Sequence, residues 1–141
     1  MSASRTPRET VDLLLHTFVH GRRAEIAELY APDVRIENPW IREEMPREFE
    51  GGRATLKARM EQTEHLWSFD SVREVSVYEG ADPEIIVLEF RLDVTVSESG
   101  AKFSLGFVSI MRIVDGLIVW SRDYSNPVET AELAKLLDFG S

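Results

Sequence analysis

Hydrophobic and polar positions follow a mainly helical period in the first half of the chain and a period of two in most of the second. From residue 8 to 20, Val11, Leu14, Leu15, Phe18 and Val19 fall on one helical stripe, with Arg8, Glu9 and Asp12 on the other side and Gly21 as a stop. A shorter helix over about 22–30 uses Ile26, Leu29 and Tyr30 and ends at Pro32. Val34 and Ile36 alternate with Arg35 and Glu37, which predicts a brief strand terminated by Asn38-Pro39. Residues 41–52 form a charged stretch with Met45, Pro46, Phe49 and a Gly51-Gly52 pair. It is longer than most connections and therefore a candidate lid or pocket rim. A third helix over about 53–65 turns Leu56, Met60 and Thr63 inward.

Beyond that helix the period becomes two. Val72 to Tyr78, Glu84 to Val96 and Phe103 to Ile113 alternate as strands, and Asp115-Gly116 makes a tight hairpin into a fourth, from Gly116 towards Pro127. A last helix over about 129–137 repeats Ala131, Leu133, Ala134, Leu136 and Leu137. Helices first, one short strand among them, then four antiparallel strands in succession is an α+β order, not the alternation of a parallel sheet.

Composition narrows the class. The 141 residues fit one domain spanning residues 1–141, long enough to bury roughly two thirds of the unfolded surface without staples. With 43% hydrophobic and 29% charged residues, and no apolar run near the ~20 needed to cross a bilayer, no membrane partner is expected. The first residues show no apolar segment of the signal-peptide kind. The absence of cysteine excludes disulfides and thiolate chemistry and is compatible with a reducing cytoplasm, the expected location. A net charge of -9 argues against nucleic acid, whose binding needs clustered Lys and Arg.

Candidate chemistry centres on the last strand. Ser121, Asp123 and Ser125 share one face while Trp120, Arg122 and Tyr124 share the other, so a single acid stands on a small polar face suited to a pocket wall. On the long strand Val87, Glu89, Arg91 and Asp93 oppose Ile86, Leu88, Phe90, Leu92 and Val94. That alternation reads either as a wet outer face over a buried inner one or as the ionic lining of a cleft. In the second case Arg91 would hold neighbouring acids and set their pKa values apart, as one acid and one base require.

The helices, the Ile36-Glu37-Asn38-Pro39 strand end and the closing Gly-x-Ile-x-x-x-Arg-Asp-Tyr-x-Asn-Pro segment resemble the nuclear transport factor 2-like superfamily, in particular its SnoaL-like branch. The resemblance spans about residues 8–137. It implies a curved antiparallel sheet wrapped around the N-terminal helices as a cone with an apolar pocket, a short C-terminal helix, and a homodimer through the sheet. Enzymes and non-catalytic binders share this fold, which alone does not assign function.

Three branches bear on the residues. Ketosteroid isomerases keep an Asp base where Asn38 stands and a Tyr donor where Leu14 falls, and an amide cannot abstract a proton. Phenazine-pathway isomerases are similar in the acid at Asp123 and the following Asn-Pro, with His65 the nearest candidate for their histidine. Limonene-type epoxide hydrolases are similar in Arg91-x-Asp93 and Arg122-Asp123-Tyr124, with Asn38 at the water-holding position and Ile36 in place of a Tyr.

The resemblance thus implies a catalytic set of Asp123 as base, Asp93 as proton donor, Arg91 between them and Asn38 orienting water or a carbonyl, with no metal or organic cofactor. Tyr30, Trp40, Phe49, His65, Trp67, Phe107 and Tyr124 are candidates to line the substrate pocket; of these Trp40, Phe49 and Trp67 fall in loops, where aromatics suit a pocket mouth. His16 and His20 have i, i+4 spacing without a joining acid and read as solvated, as do Glu43 and Glu44. The expectation is a cofactor-independent acid-base enzyme acting on a hydrophobic small molecule, leaning to epoxide opening. An isomerase or polyketide-type cyclase and a non-catalytic binding module stand as alternatives.

Overall fold

Thr6 accepts the backbone N–H of Glu9 at 3.1 Å while Glu9 accepts that of Thr6 at 3.0 Å, a reciprocal cap that starts helix α1 (Pro7–His20). The computed structural model describes residues 4–40 and 47–137. Met45, Pro46, Glu43 and Glu44, read above as part of a rim or as solvated charges, lie outside the described residues. The further elements are α2 (Arg23–Ala27), β1 (Tyr30–Glu37), β2 (Glu48–Phe49), α3 (Gly52–Thr63), β3 (Trp67–Glu79), β4 (Ile85–Val96), β5 (Lys102–Val114), β6 (Leu117–Ser125) and α4 (Pro127–Leu137).

The strands form one curved, open sheet in the order β2-β1-β6-β5-β4-β3. Every neighbouring pair is antiparallel except β1 and β6, which meet at a parallel seam; the four successive strands β3 to β6 are antiparallel as expected. The seam needs no local turn because the chain between β1 and β6 supplies the whole crossover. The β5–β6 hairpin closes through Asp115 at φ 51° and Gly116 at φ 79°, the doubly positive turn that matches strand twist. The buried Thr10 hydroxyl on α1 donates to the Gly116 carbonyl at 2.9 Å and fastens the helix to that turn.

Two prolines differ from expectation. Pro32 does not end a helix; it lies inside β1 where the ladder with β6 is interrupted between Tyr30 and Arg35, so its missing N–H breaks no pairing. Pro127 does not merely stop a strand. It opens α4, with the Asn126 Oδ1 accepting the N–H groups of Val128 at 3.0 Å and Glu129 at 3.3 Å.

The inner face of β4 carries Ile86, Leu88, Phe90, Leu92 and Val94 into a core shared with Val11 and Leu14 of α1 and Ile26 of α2. On β6 the strict alternation is broken once. Ile113 faces Ile118 but Arg112 faces Trp120, so β6 holds one extra residue, Val119, at this point. Because of that bulge both Ile118, in the core, and Ser121 turn inward, although an uninterrupted strand would place them on opposite faces.

Candidate functional site

Register across three strands decides where each candidate points. Asp123 pairs with Ser109 and Ser109 with Leu88, a fully buried core residue; one step along, Ser125 pairs with Phe107 and Phe107 with Phe90. Side chains directly opposite one another in a sheet project to the same face, so this row faces inward with the core. β1 completes the wall, because Ile36 lies beside Ser121 and the same register, continued past Glu37, brings Asn38 level with Asp123.

The inward row opens on a cavity of about 340 Å³, within the range of small-molecule sites. Its walls are apolar, from Phe18 of α1 and Met60 of α3 across to Phe90 and Phe107 of the sheet. Polar groups enter from Tyr30, Asn38, Arg59, Ser109, Asp123 and Ser125, so Asp123 is the one acid and Arg59 the one cation among its described lining residues.

Asp123 is held on one oxygen and open on the other. Its Oδ1 accepts the hydroxyls of Ser109 at 2.8 Å and Ser121 at 2.5 Å. Among the described residues no donor reaches Oδ2, yet no buried side-chain oxygen lacks a partner, so Oδ2 keeps open surface towards the cavity. Burial away from water pushes the Asp123 carboxyl above the ordinary carboxylate value, and the two serine hydroxyls partly oppose that shift. Tyr30 sits in the same space, and burial together with the nearby Asp123 charge pushes its phenol well above the ordinary value of 10.0. The cavity therefore places a carboxyl of raised pKa and a phenol that stays protonated within each other's field, an arrangement able to take a proton at one atom and donate a hydrogen bond at another.

The expected convergence of Arg91, Asp93 and Asp123 is not found. Arg91 pairs with Gly106 and Asp93 with Ser104 in the β4–β5 ladder, which is the outward row. Asp93 accepts from Arg73 Nε at 2.8 Å and from Ser71 at 2.6 Å, contacts that hold its pKa down at about 2, so it is an ionised surface carboxylate and no proton donor. Arg91 bonds to the Ser104 hydroxyl at 2.9 Å and to the Glu129 carboxylate of α4. Gly106 leaves room for that pair, since a Cβ there would stand 2.9 Å from Arg91 Nη1. The ionic alternation of β4 is thus the wet outer face of the sheet.

The expected pocket aromatics divide in the same way. Tyr30, Phe49 and Phe107 line the interior cavity together with Asn38. Trp40 and Tyr124 meet edge to face, ring centres 4.7 Å apart, over an outer groove of about 540 Å³ beside Arg91 and Glu129. His65 is exposed beyond the end of α3, and Trp67 packs beside the buried Arg23, whose guanidinium stacks 3.7 Å from the Phe69 ring centre. Neither His65 nor Trp67 lines the cavity. His16 and His20 stand exposed with ring centres 4.6 Å apart. Two polar cavity residues escaped the sequence: Ser109, which needs the strand register to be seen, and Arg59, which reads as an ordinary charge on the polar part of a helix.

Comparison with known proteins agrees with this architecture. The family model described as a SnoaL-like domain matches residues 11–121. An uncharacterised PhzA/B-like protein of Pseudomonas aeruginosa is 35% identical over 127 residues, covering 86% of each chain. The uncharacterised YesE of Bacillus subtilis is 33% identical over 108 residues, 74% of this chain and 71% of its own. Among solved structures, a Bacillus subtilis protein described as a candidate isomerase superposes with a TM-score of 0.80 at 25% identity, over 89% of this chain and 90% of that one.

Proposed function

The chain belongs to the SnoaL-like domain family, and on that premise we propose that it is a cofactor-independent proton-transfer enzyme, an isomerase or cyclase, acting on an apolar small molecule in the interior cavity. The observation that carries the reading is the state of Asp123: Oδ1 fixed by two serines, Oδ2 open to an apolar cavity that also holds the Tyr30 phenol. The lining is mostly apolar and burial within it raises the Asp123 pKa, so the ionised carboxylate is a stronger base than an exposed one.

In the proposed reaction Asp123 Oδ2 takes a proton from a carbon next to a substrate carbonyl. The carbonyl oxygen gains the charge and accepts a hydrogen bond from Tyr30 Oη, with Asn38 as a second polar group on the same wall. Return of the proton from Asp123 to another carbon completes an isomerisation; attack of the enolate carbon on a second carbonyl of the same molecule, with the Asp123 proton passing to the alkoxide so formed, completes a ring closure. Both outcomes share the first step and leave Asp123 ready for the next cycle.

Epoxide opening fits less well. It calls for a second carboxyl to protonate the ring oxygen and a cation between the two acids, and the expected Asp93 and Arg91 lie on the outer face. The test is Asp123→Asn assayed against carbonyl compounds with an acidic α-carbon, followed by loss of that hydrogen to deuterated water. The amide keeps the shape and removes the base, so exchange and turnover should fall by about 10²- to 10⁴-fold with the fold intact. Normal conversion by this variant would refute the assignment.

A further inference from the structure

Arg59 projects from α3 towards a cavity whose walls are mostly apolar. It is exposed at the cavity rim, its Cζ lies 4.3 Å from the centre of the Phe49 ring, and Phe49 itself lines the cavity. Among the described residues neither a carboxylate nor a hydrogen-bond acceptor pairs with its guanidinium, and the other charged residue of the described cavity lining is Asp123. A guanidinium stacked on a ring directs its N–H groups outward in the ring plane, free to receive a planar anion through two parallel hydrogen bonds. The stacking fixes its orientation beforehand, so little side-chain freedom is lost on binding.

We propose that Arg59 is the head-group anchor of the cavity and that the substrate is an apolar compound bearing a carboxylate. This rests on the reading of the interior cavity as the substrate site. The carboxylate lies at the rim against Arg59, the apolar body fills the space between Met60 and Phe107, and the reacting end reaches Asp123 and Tyr30. Such a bipolar lining also sets direction, because a carboxylate placed at the inner end would meet Asp123 and be repelled. The net charge of -9 disfavours anions over the molecule as a whole, so any preference for one must come from a local cation.

The inference is tested with naphthoate and naphthamide, a planar apolar body with a charged or a neutral isosteric head, titrated calorimetrically into the intact protein. The wild type should bind naphthoate about tenfold to a hundredfold more tightly, the range of a hydrogen bond to a charged group. Arg59→Gln should lose that preference with naphthamide binding unchanged, and its exposed position leaves the fold unaffected. Asp123→Asn should retain the preference. Equal binding of both probes by the wild type, or a preference that survives in Arg59→Gln, overturns the anchor while leaving the acid-base assignment standing. Failure of both probes to bind overturns the anchor and the cavity as a substrate site together, whereas undiminished turnover in Asp123→Asn refutes only the acid-base chemistry.

Discussion

Ser109 and Asp123 stand directly opposite each other on β5 and β6, and the Ser109 hydroxyl donates to Asp123 Oδ1 at 2.8 Å. One ladder position thus supplies both the carboxyl and a group that tempers its pKa. Burial raises the Asp123 pKa; the hydroxyls of Ser109 and Ser121 lower it. Removing either donor leaves burial less opposed.

The pH dependence follows from that balance. The base acts when ionised, so turnover should rise with pH through a midpoint above 3.8, the ordinary value, and the midpoint should move higher in Ser109→Ala and Ser121→Ala. Stability moves the other way. A carboxyl with a raised folded-state pKa contributes most below its unfolded pKa and loses that contribution as pH rises through the folded one. Asp123→Asn should therefore be more stable than wild type at neutral pH and lose that advantage in acid. Profiles of kcat/KM and of thermal unfolding against pH, recorded for the same variants, check both signs.

Tyr30 Oη has no hydrogen-bond partner among the described residues and faces the cavity. Tyr30→Phe should fold normally and lose about 10²- to 10³-fold in kcat, the usual effect of deleting one donor to a developing oxyanion. Because the phenol stays protonated beyond the ordinary Tyr range, the wild-type profile should show no decline from this group below pH ~10. Steady-state kinetics of the pair of proteins at several pH values is the measurement.

On the outer face, Asp93→Asn and Arg91→Met should leave turnover within a small factor of wild type. Asp93 is a surface carboxylate with its pKa held at about 2, so its pairing with Arg73 is present at neutral pH, weakens only in strong acid, and is screened by salt. Loss of Arg91 removes the tie between β4 and Glu129 of α4 and should cost about 1 kcal/mol in urea unfolding. A collapse of kcat in Asp93→Asn would return that residue to the mechanism.

Gly52 begins α3 with φ at 61°, and a Cβ there would sit 2.3 Å from the Pro32 carbonyl oxygen of β1. Neither backbone can yield cheaply, so Gly52→Ala should cost roughly 2 kcal/mol or more. The same helix carries Leu56, Arg59 and Met60 to the cavity, and ligand binding should weaken along with stability. Denaturant unfolding and a naphthoate titration of one preparation separate this variant from those that act only on chemistry.

Periodicity within a segment was readable; relations between segments were not. The stripe from Val11 to Phe18, the greasy phase of β4 and the Asp115-Gly116 turn are local patterns, and each stands where its period puts it. The small polar face of Ser121, Asp123 and Ser125 likewise predicts a pocket wall, and Asp123 and Ser125 do line the cavity. Which strand faces of β4 and β6 coincide depends on the β5 register and on the extra residue at Val119, neither of which leaves a mark in hydrophobic alternation. An Arg-x-Asp and an Asp of suitable spacing therefore read as sharing a cleft although they lie on opposite sides of one sheet. Asn126 shows a milder form of the difficulty, since an Asn-Pro pair after a strand serves equally as a stop and as a helix cap.

The parallel seam between β1 and β6 also governs when the cavity can exist. Tyr30 and Asn38 are translated early, Asp123 and its serine partners late, and the strands bearing them join only across nearly the whole intervening chain. Pairing of such distant segments is slow relative to local hairpins. On a ribosome, the β3–β5 meander can assemble while β1 still has an unmatched edge, and α1 has no hairpin turn on which to dock until Gly116 has emerged. The seam is thus the pairing with the longest loop to close, and Tyr30 meets Asp123 only at that closure.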